Sequence, residues 1–286
     1  MEILNAKIKS IIQLFRPELP SSAGVCVLLG EIAALGGFPS VREGLLGFAC
    51  GFFISGSALV SNDYFDLEVD RVNAPSRPLP SGMVSPSEAI LLAVIAMTIG
   101  LAASFAISVN ALILSLVFGA VGVFYNWRFK QTGLLGNLMV AASVGITFIL
   151  GGLAVGHPFS AIVWFFSLTA FLIDLGEEIA GDAMDMEGDK QRDSRSIAIM
   201  YGKKFALRIS GGVFLLLVLI SFIPYFAGWL GITYLVIICF ADAITLFSIA
   251  KLLKSQTPDQ GRKYMRWIYI GALFAMLVYI IAQFFA

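Results

Sequence analysis

Long apolar stretches alternate with short polar ones along the whole chain. Nine apolar stretches lie near 19–38, 43–61, 87–106, 108–127, 134–155, 159–180, 205–224, 229–250 and 267–285. About twenty apolar residues in a helix cover the roughly 30 Å hydrocarbon core of a bilayer. Inside that core the backbone must satisfy its own polar groups, which a helix does. The pattern therefore predicts an all-α, multi-pass membrane bundle of nine transmembrane helices. The longest polar connections, 62–86 and 181–204, each begin with an acidic cluster. This spacing suggests a pseudo-repeat, with halves of about 1–130 and 131–250 and a ninth helix added. Neither half would bury its polar face alone, so residues 1–286 are expected to form a single membrane domain.

Composition agrees with that reading. The chain is 58% hydrophobic and 13% charged, which a soluble domain rarely is. Its net charge of zero hides a strong polarity, because on this span assignment 18 of the 19 basic residues fall on one side and only Arg42 on the other. Lys and Arg are retained in cytoplasmic loops, so the expected N-terminus is cytoplasmic, the C-terminus is outside, and the protein sits in the cell membrane. Both acidic clusters then face the cytoplasm. Cys26, Cys50 and Cys239 lie in apolar spans without ligand spacing and read as small packing residues rather than disulfide or zinc groups. No cleavable signal peptide is evident. Glycines 47, 51, 145, 151 and 152 would allow close helix contact.

The chemistry-bearing residues are the two clusters, Asn62-Asp63-Tyr64-Phe65-Asp66-Leu67-Glu68-Val69-Asp70 and Asp182-Ala183-Met184-Asp185-Met186-Glu187-Gly188-Asp189. On a helix, Asp63, Asp66 and Asp70 fall at i, i+3 and i+7, and Asp182, Asp185 and Asp189 repeat that spacing, so each triplet shares a face. Carboxylates so close repel one another unless protons or cations intervene, and hard oxygen donors suit Mg²⁺. Asn62 adds a neutral oxygen. Two clusters that each hold a cation suit a diphosphate, whose oxygens bridge the metals as it departs. An allylic carbon losing diphosphate leaves a carbocation, and Tyr125 is a candidate for the wall beside it. Arg77, Lys130, Lys190 and Arg192 are candidates to hold phosphates, and so is Arg16. Glu178, one turn before Asp182, reads as part of the ligand shell, as a proton acceptor, or equally as a packed polar contact. His157 reads as structural.

At these residues the chain resembles the UbiA superfamily of intramembrane prenyltransferases. The first family motif, N-D-x-x-D-x-x-x-D, is complete at Asn62 to Asp70 and is followed by Asn73-Ala74-Pro75-Ser76-Arg77-Pro78-Leu79-Pro80-Ser81-Gly82. The second, D-x-x-D-x-x-x-D, is complete at Asp182 to Asp189, and Tyr125, Lys130 and Gly136-Asn137 fit the pattern between them. The resemblance implies a bundle around a cavity, two Mg²⁺ ions bridged by diphosphate, and prenyl transfer at the cytoplasmic face. Asn62, Asp66, Asp70, Asp182, Asp185 and Asp189 would carry the metals, with Asp63 orienting them. Asp66, Asp185 and Tyr125 would act on the reacting groups.

Phe148 to Gly156, and Pro224 to Trp229 continuing to Asp242, are similar to the archaeal branch that transfers a geranylgeranyl group onto a glyceryl phosphate ether. Trp127 stands where that resemblance leads one to expect a smaller residue. The expected partners are a prenyl diphosphate donor, a lipid-like acceptor and membrane lipid, with no nucleic acid and no protein partner. Two other readings remain open at this point. One is prenylation of an aromatic acceptor of a quinone, chlorophyll or haem pathway. The other is a divalent-cation transporter, for which Asp174 and Asp242 are the carboxylates nearest mid-membrane.

Overall fold

The computed structural model describes residues 2–186 and 194–284. It contains helices and no strands among these residues. They are α1 (Glu2–Phe15), α2 (Glu18–Leu35), α3 (Val41–Phe65), α4 (Leu67–Asn73), α5 (Pro86–Ile107), α6 (Val109–Phe124) and a π-helical turn (Tyr125–Phe129). There follow α7 (Leu134–Ala154), α8 (Ala161–Met184), α9 (Ile197–Tyr201), α10 (Lys203–Ile220), α11 (Ile223–Phe226), α12 (Ile232–Leu252) and α13 (Pro258–Phe284).

Seven of the helices are long and apolar enough to cross a membrane: α2, α3, α5, α6 with its π-helical turn, α7, α10 continued through α11, and α12. The protein is a multi-pass membrane protein. The other two apolar stretches of the sequence correspond to α8 and α13, which fall outside those seven. In α8 the reason is visible in the sequence, since Asp174, Glu177 and Glu178 charge its C-terminal half.

The chain divides into two compact units. The first comprises residues 1–127 and 146–164, the second 128–145 and 165–286. The second half of α7 and the start of α8 belong with the first unit.

In the first unit the helix starts follow local chemistry. Ser40 with Glu43 and Ser85 with Glu88 form capping boxes at α3 and α5, and Ser108 caps α6. Each satisfies amide groups that the first helical turn leaves without partners. Close crossings depend on glycine. A Cβ on Gly30 of α2 would lie 2.4 Å from the Phe148 carbonyl oxygen, and one on Gly151 of α7 would lie 2.2 Å from that of Val27. Cys50 of α3 meets Ser104 of α5 at 2.8 Å, and Ser104 meets Ser115 of α6 at 2.8 Å, which ties three helices through buried polar groups. The amphipathic α1 precedes the spans and buries Ser10 and Leu14, while Lys7 pairs with Glu88 at 2.6 Å.

The second unit has its own core, built around Leu172 and Ile179 of α8, Phe214 of α10, Leu252 of α12 and Ile268 of α13. Ser210 of α10 donates to the Gly176 carbonyl oxygen of α8 at 2.6 Å. Gly261 lets the start of α13 pass against the side chain of Met184, into which a Cβ would be driven.

Candidate active site

The first acidic motif sits at the end of α3. The expectation of one continuous helical face is met only in part, because α3 stops at Phe65 and α4 begins at Leu67, with Asp66 as the junction residue. The Asp66 N–H still donates to the Asn62 carbonyl at 2.9 Å, and the Asp70 N–H to that of Asp66 at 2.8 Å, so the helical path bends without being lost.

Two of the carboxylates are buried and each is held by an arginine. Asp63 is 5% exposed and accepts a hydrogen bond from Arg16 Nη2 at 2.7 Å. Asp70 is 4% exposed and accepts from Arg77 Nη1 at 2.6 Å. Charges buried to this extent require such partners. Arg16 adopts φ 48° between α1 and α2, the one positive φ outside glycine among the described residues. A left-handed backbone in a residue with a Cβ costs roughly 1–2 kcal/mol, and strain of this kind gathers at functional sites. The Nε of the same arginine is buried without a hydrogen-bond partner in the structure.

Arg77 is placed by its own loop. The Ser81 N–H donates to the Arg77 carbonyl at 3.0 Å, Gly82 takes φ 77°, and Leu79 and Val84 are buried against α1, α3 and α5. Glu68 points away and pairs with Arg71.

Asn62 Nδ2 donates to Asn126 Oδ1 at 3.1 Å, and Asn126 Nδ2 donates to the Ala58 carbonyl at 3.2 Å. This chain fixes the amide plane of Asn62. Asn126 belongs to the π-helical turn that also carries Tyr125 and Trp127. The sequence reading missed Asn126, although π turns recur at functional sites. Trp127 is 62% exposed and packs on Phe124, so its bulk lies at the surface of its unit.

The second motif ends α8. Asp182 accepts from Asn137 Nδ2 of α7 at 2.9 Å. Asp185 forms an ion pair with Arg262 of α13, and Glu177 accepts from the hydroxyl of Tyr269. A cavity of about 470 Å³ opens here, lined by Glu177, Glu178 and Asp182 of α8, by Asp185 just beyond it, and by Arg262, Arg266 and Tyr269 of α13. Arg262, Arg266 and Tyr269 were not singled out from the sequence, where the two arginines counted only toward the cytoplasmic charge. Asp189, Lys190 and Arg192 lie outside the described residues. Lys130 follows the π-helical turn and is half-buried.

Among the described residues no three acidic, histidine or cysteine groups converge into a ready-made metal site. The donors themselves fit Mg²⁺: carboxylates and one amide, all hard oxygen ligands, at the ends of α3 and α8.

The chain matches the UbiA prenyltransferase family over residues 23–280. The digeranylgeranylglyceryl phosphate synthase of Methanopyrus kandleri is 34% identical, with 95% of this chain and 98% of the relative covered. That of Thermococcus kodakarensis is 30% identical over 96% of this chain and 98% of the relative. A solved structure of a digeranylgeranylglyceryl phosphate synthase aligns with a TM-score of 0.83 at 31% identity, covering 99% of each chain. A UbiA homologue from Archaeoglobus fulgidus, solved with DMAPP and Mg²⁺, shares the fold with a TM-score of 0.70 at 20% identity, covering 95% of this chain and 98% of that one.

Proposed function

The chain belongs to the UbiA prenyltransferase family, and from that premise we propose that it transfers a geranylgeranyl group from geranylgeranyl diphosphate to the free hydroxyl of geranylgeranylglyceryl phosphate. The observation that carries the reaction is the pair of oxygen-rich motifs closing α3 and α8, with Asp63, Asp70 and Asp185 each held by an arginine. The likeness to digeranylgeranylglyceryl phosphate synthases over nearly the full chain supports the acceptor.

Mg²⁺, present with DMAPP in the Archaeoglobus homologue, would neutralise the departing diphosphate. Asn62, Asp66 and Asp70 would hold one ion, and Asp182, Asp185 and Asp189 the other. Asp63, tied to Arg16, keeps the first motif in place rather than binding directly. Arg77, Lys130, Lys190 and Arg192 would hold phosphate oxygens. The bond from C1 to the diphosphate oxygen breaks and a bond from C1 to the acceptor oxygen forms. The hydroxyl proton leaves to a carboxylate or to diphosphate, and Tyr125 presents an aromatic face to the positive carbon.

In this reading nine helices cross the membrane as one domain of two related halves, with the N-terminus and the site cytoplasmic and the C-terminus outside. The cation-transport reading loses its mid-membrane support at Asp242, which is 6% exposed and accepts from Ser221 Oγ at 2.7 Å. The test is an assay with purified protein, geranylgeranyl diphosphate and two acceptors side by side, geranylgeranylglyceryl phosphate and an aromatic acid. Prenylation of the glyceryl phosphate is expected. Prenylation of the aromatic acceptor alone sinks the assignment.

A further inference from the structure

Each acidic motif begins with a residue held by an asparagine from elsewhere in its own unit. Asn62 donates to Asn126 in the first, and in the second Asp182 Oδ2 accepts from Asn137 Nδ2 at 2.9 Å. Asn137 lies in the first turn of α7 and is 6% exposed, so packing restricts the plane of its amide.

The chemistry of the partner matters. Asp63, Asp70 and Asp185 are held by arginines, whose positive charge offsets theirs. The side-chain amide of Asn137 is neutral, so its hydrogen bond settles which way the Asp182 carboxylate faces and takes none of its charge. A cation ligand needs that kind of neighbour. Carboxylates that bind metals are themselves hydrogen-bonded, and the loss of such a partner costs roughly tenfold to a hundredfold in metal affinity.

The segment that carries Asn137 also holds the chain on the far side of the motif. The Arg195 N–H donates to the Gln131 carbonyl at 2.9 Å. Gly133 takes φ 67°, and a Cβ there would lie 2.1 Å from the Arg195 carbonyl oxygen, so the two backbones touch. The Gly133 carbonyl in turn accepts the Asn137 N–H at 3.0 Å, which ties this contact to the first turn of α7. Ser196, next in the chain, is 1% exposed and caps α9 through the Ile199 N–H at 3.3 Å. Residues 131–137 therefore grip the chain before the motif at Asp182 and after it at Arg195.

We propose that Asn137 is a positioning residue for the second motif, fixing the Asp182 carboxylate in the orientation in which it takes Mg²⁺. The proposal rests on the two-metal reading above and adds the residue that orients one of its ligands. Asn137 acts through Asp182 and touches neither the metal nor the substrate. Its backbone tie to Gly133 sets where the amide stands, and the contact of Gly133 with Arg195 sets where the chain leaves the motif.

The experiment measures Mn²⁺ binding by electron paramagnetic resonance in the presence of inorganic diphosphate, with no turnover involved. The variants are Asn137→Leu, Asp182→Asn, the two combined, and Ser143→Ala. Leucine keeps about the volume of asparagine and removes the donor. Asn137→Leu is expected to weaken one bound Mn²⁺ by roughly tenfold or more, and Asp182→Asn by at least as much. Because Asn137 works through Asp182, the double variant should bind no more weakly than Asp182→Asn alone. Ser143, further along α7, bonds the Met139 carbonyl of its own helix at 2.9 Å, and Ser143→Ala should bind as the wild type does.

The melting temperature of each variant is read beside its Mn²⁺ affinity. Unchanged Mn²⁺ binding in Asn137→Leu overturns the positioning role, and so does a loss that adds in full to that of Asp182→Asn, which would mark a general disturbance of the unit. A wild type that binds no Mn²⁺ with diphosphate brings down the two-metal reading itself, and that result is visible before any variant is compared.

Discussion

At the scale of the residue, the motif carboxylates divide by burial into two kinds with different consequences. Asp63 is buried and its partner Arg16 is 28% exposed in its side chain, so removing the arginine leaves a buried carboxylate uncompensated, at a cost of up to about 3–5 kcal/mol. Arg16→Ala and Arg16→Gly should both lower the thermal stability of the purified protein. Glycine pays no Cβ penalty at φ 48°, so the glycine variant should be the more stable of the two by about 1 kcal/mol. Equal melting temperatures would remove the strain argument. Asp185 is 54% exposed in its side chain, where an ion pair contributes at most about 1 kcal/mol. Asp185→Asn should therefore leave the melting temperature nearly unchanged while turnover falls by orders of magnitude, and Asp66→Asn should likewise lose turnover. Near-normal rates in both variants would count against the metal-holding role.

At the scale of the element, α2 and α7 approach so closely that backbone meets backbone. A methyl on Gly151 would sit 2.2 Å from the Val27 carbonyl oxygen, which no rotamer change relieves. Overpacking of this kind costs about 1–3 kcal/mol or more, so Gly151→Ala should lower the melting temperature. Gly212→Ala, in α10 with nothing within 4 Å of the added carbon, should be neutral or slightly stabilising because alanine is the better helix former. Comparable melting temperatures for the two would show that the crossing can widen. The π-helical turn acts on function instead. Asn126 fixes the amide of Asn62 through one hydrogen bond and anchors itself to α3 through another. Asn126→Ala should reduce turnover with little loss of stability, read by paired rate and unfolding measurements.

At the scale of the whole molecule, the basic residues gather on one side of the predicted spans. Accessibility tags at the C-terminus and beside Gly156 should react from outside in intact cells, and tags beside Ser81 or Arg195 should not. Labelling of Ser81 and Gly156 from the same face would change the number of crossings between them. Chelation belongs to this scale too, since it acts on both motifs together. Excess EDTA should abolish turnover and added Mg²⁺ should restore it, and undiminished activity in chelator would end the two-metal reading.

The sequence by itself determined the class of structure and the class of chemistry. A twenty-residue apolar period leaves the backbone little choice but a membrane helix, and both acidic motifs are local, each readable within nine residues. The capping boxes at Ser40 and Ser85 are local as well. Tertiary structure decided what depends on residues far apart in the chain. Arg16 meets Asp63, Asn126 meets Asn62, and Arg262 and Tyr269 meet α8, across separations of 47 to 92 residues that no periodicity encodes. It also decided the bend at Asp66 and the assignment of residues 146–164 to the first unit. The physical reason is that a carboxylate states its need for a counter-charge in the sequence, but which cation meets that need depends on which helices pack together.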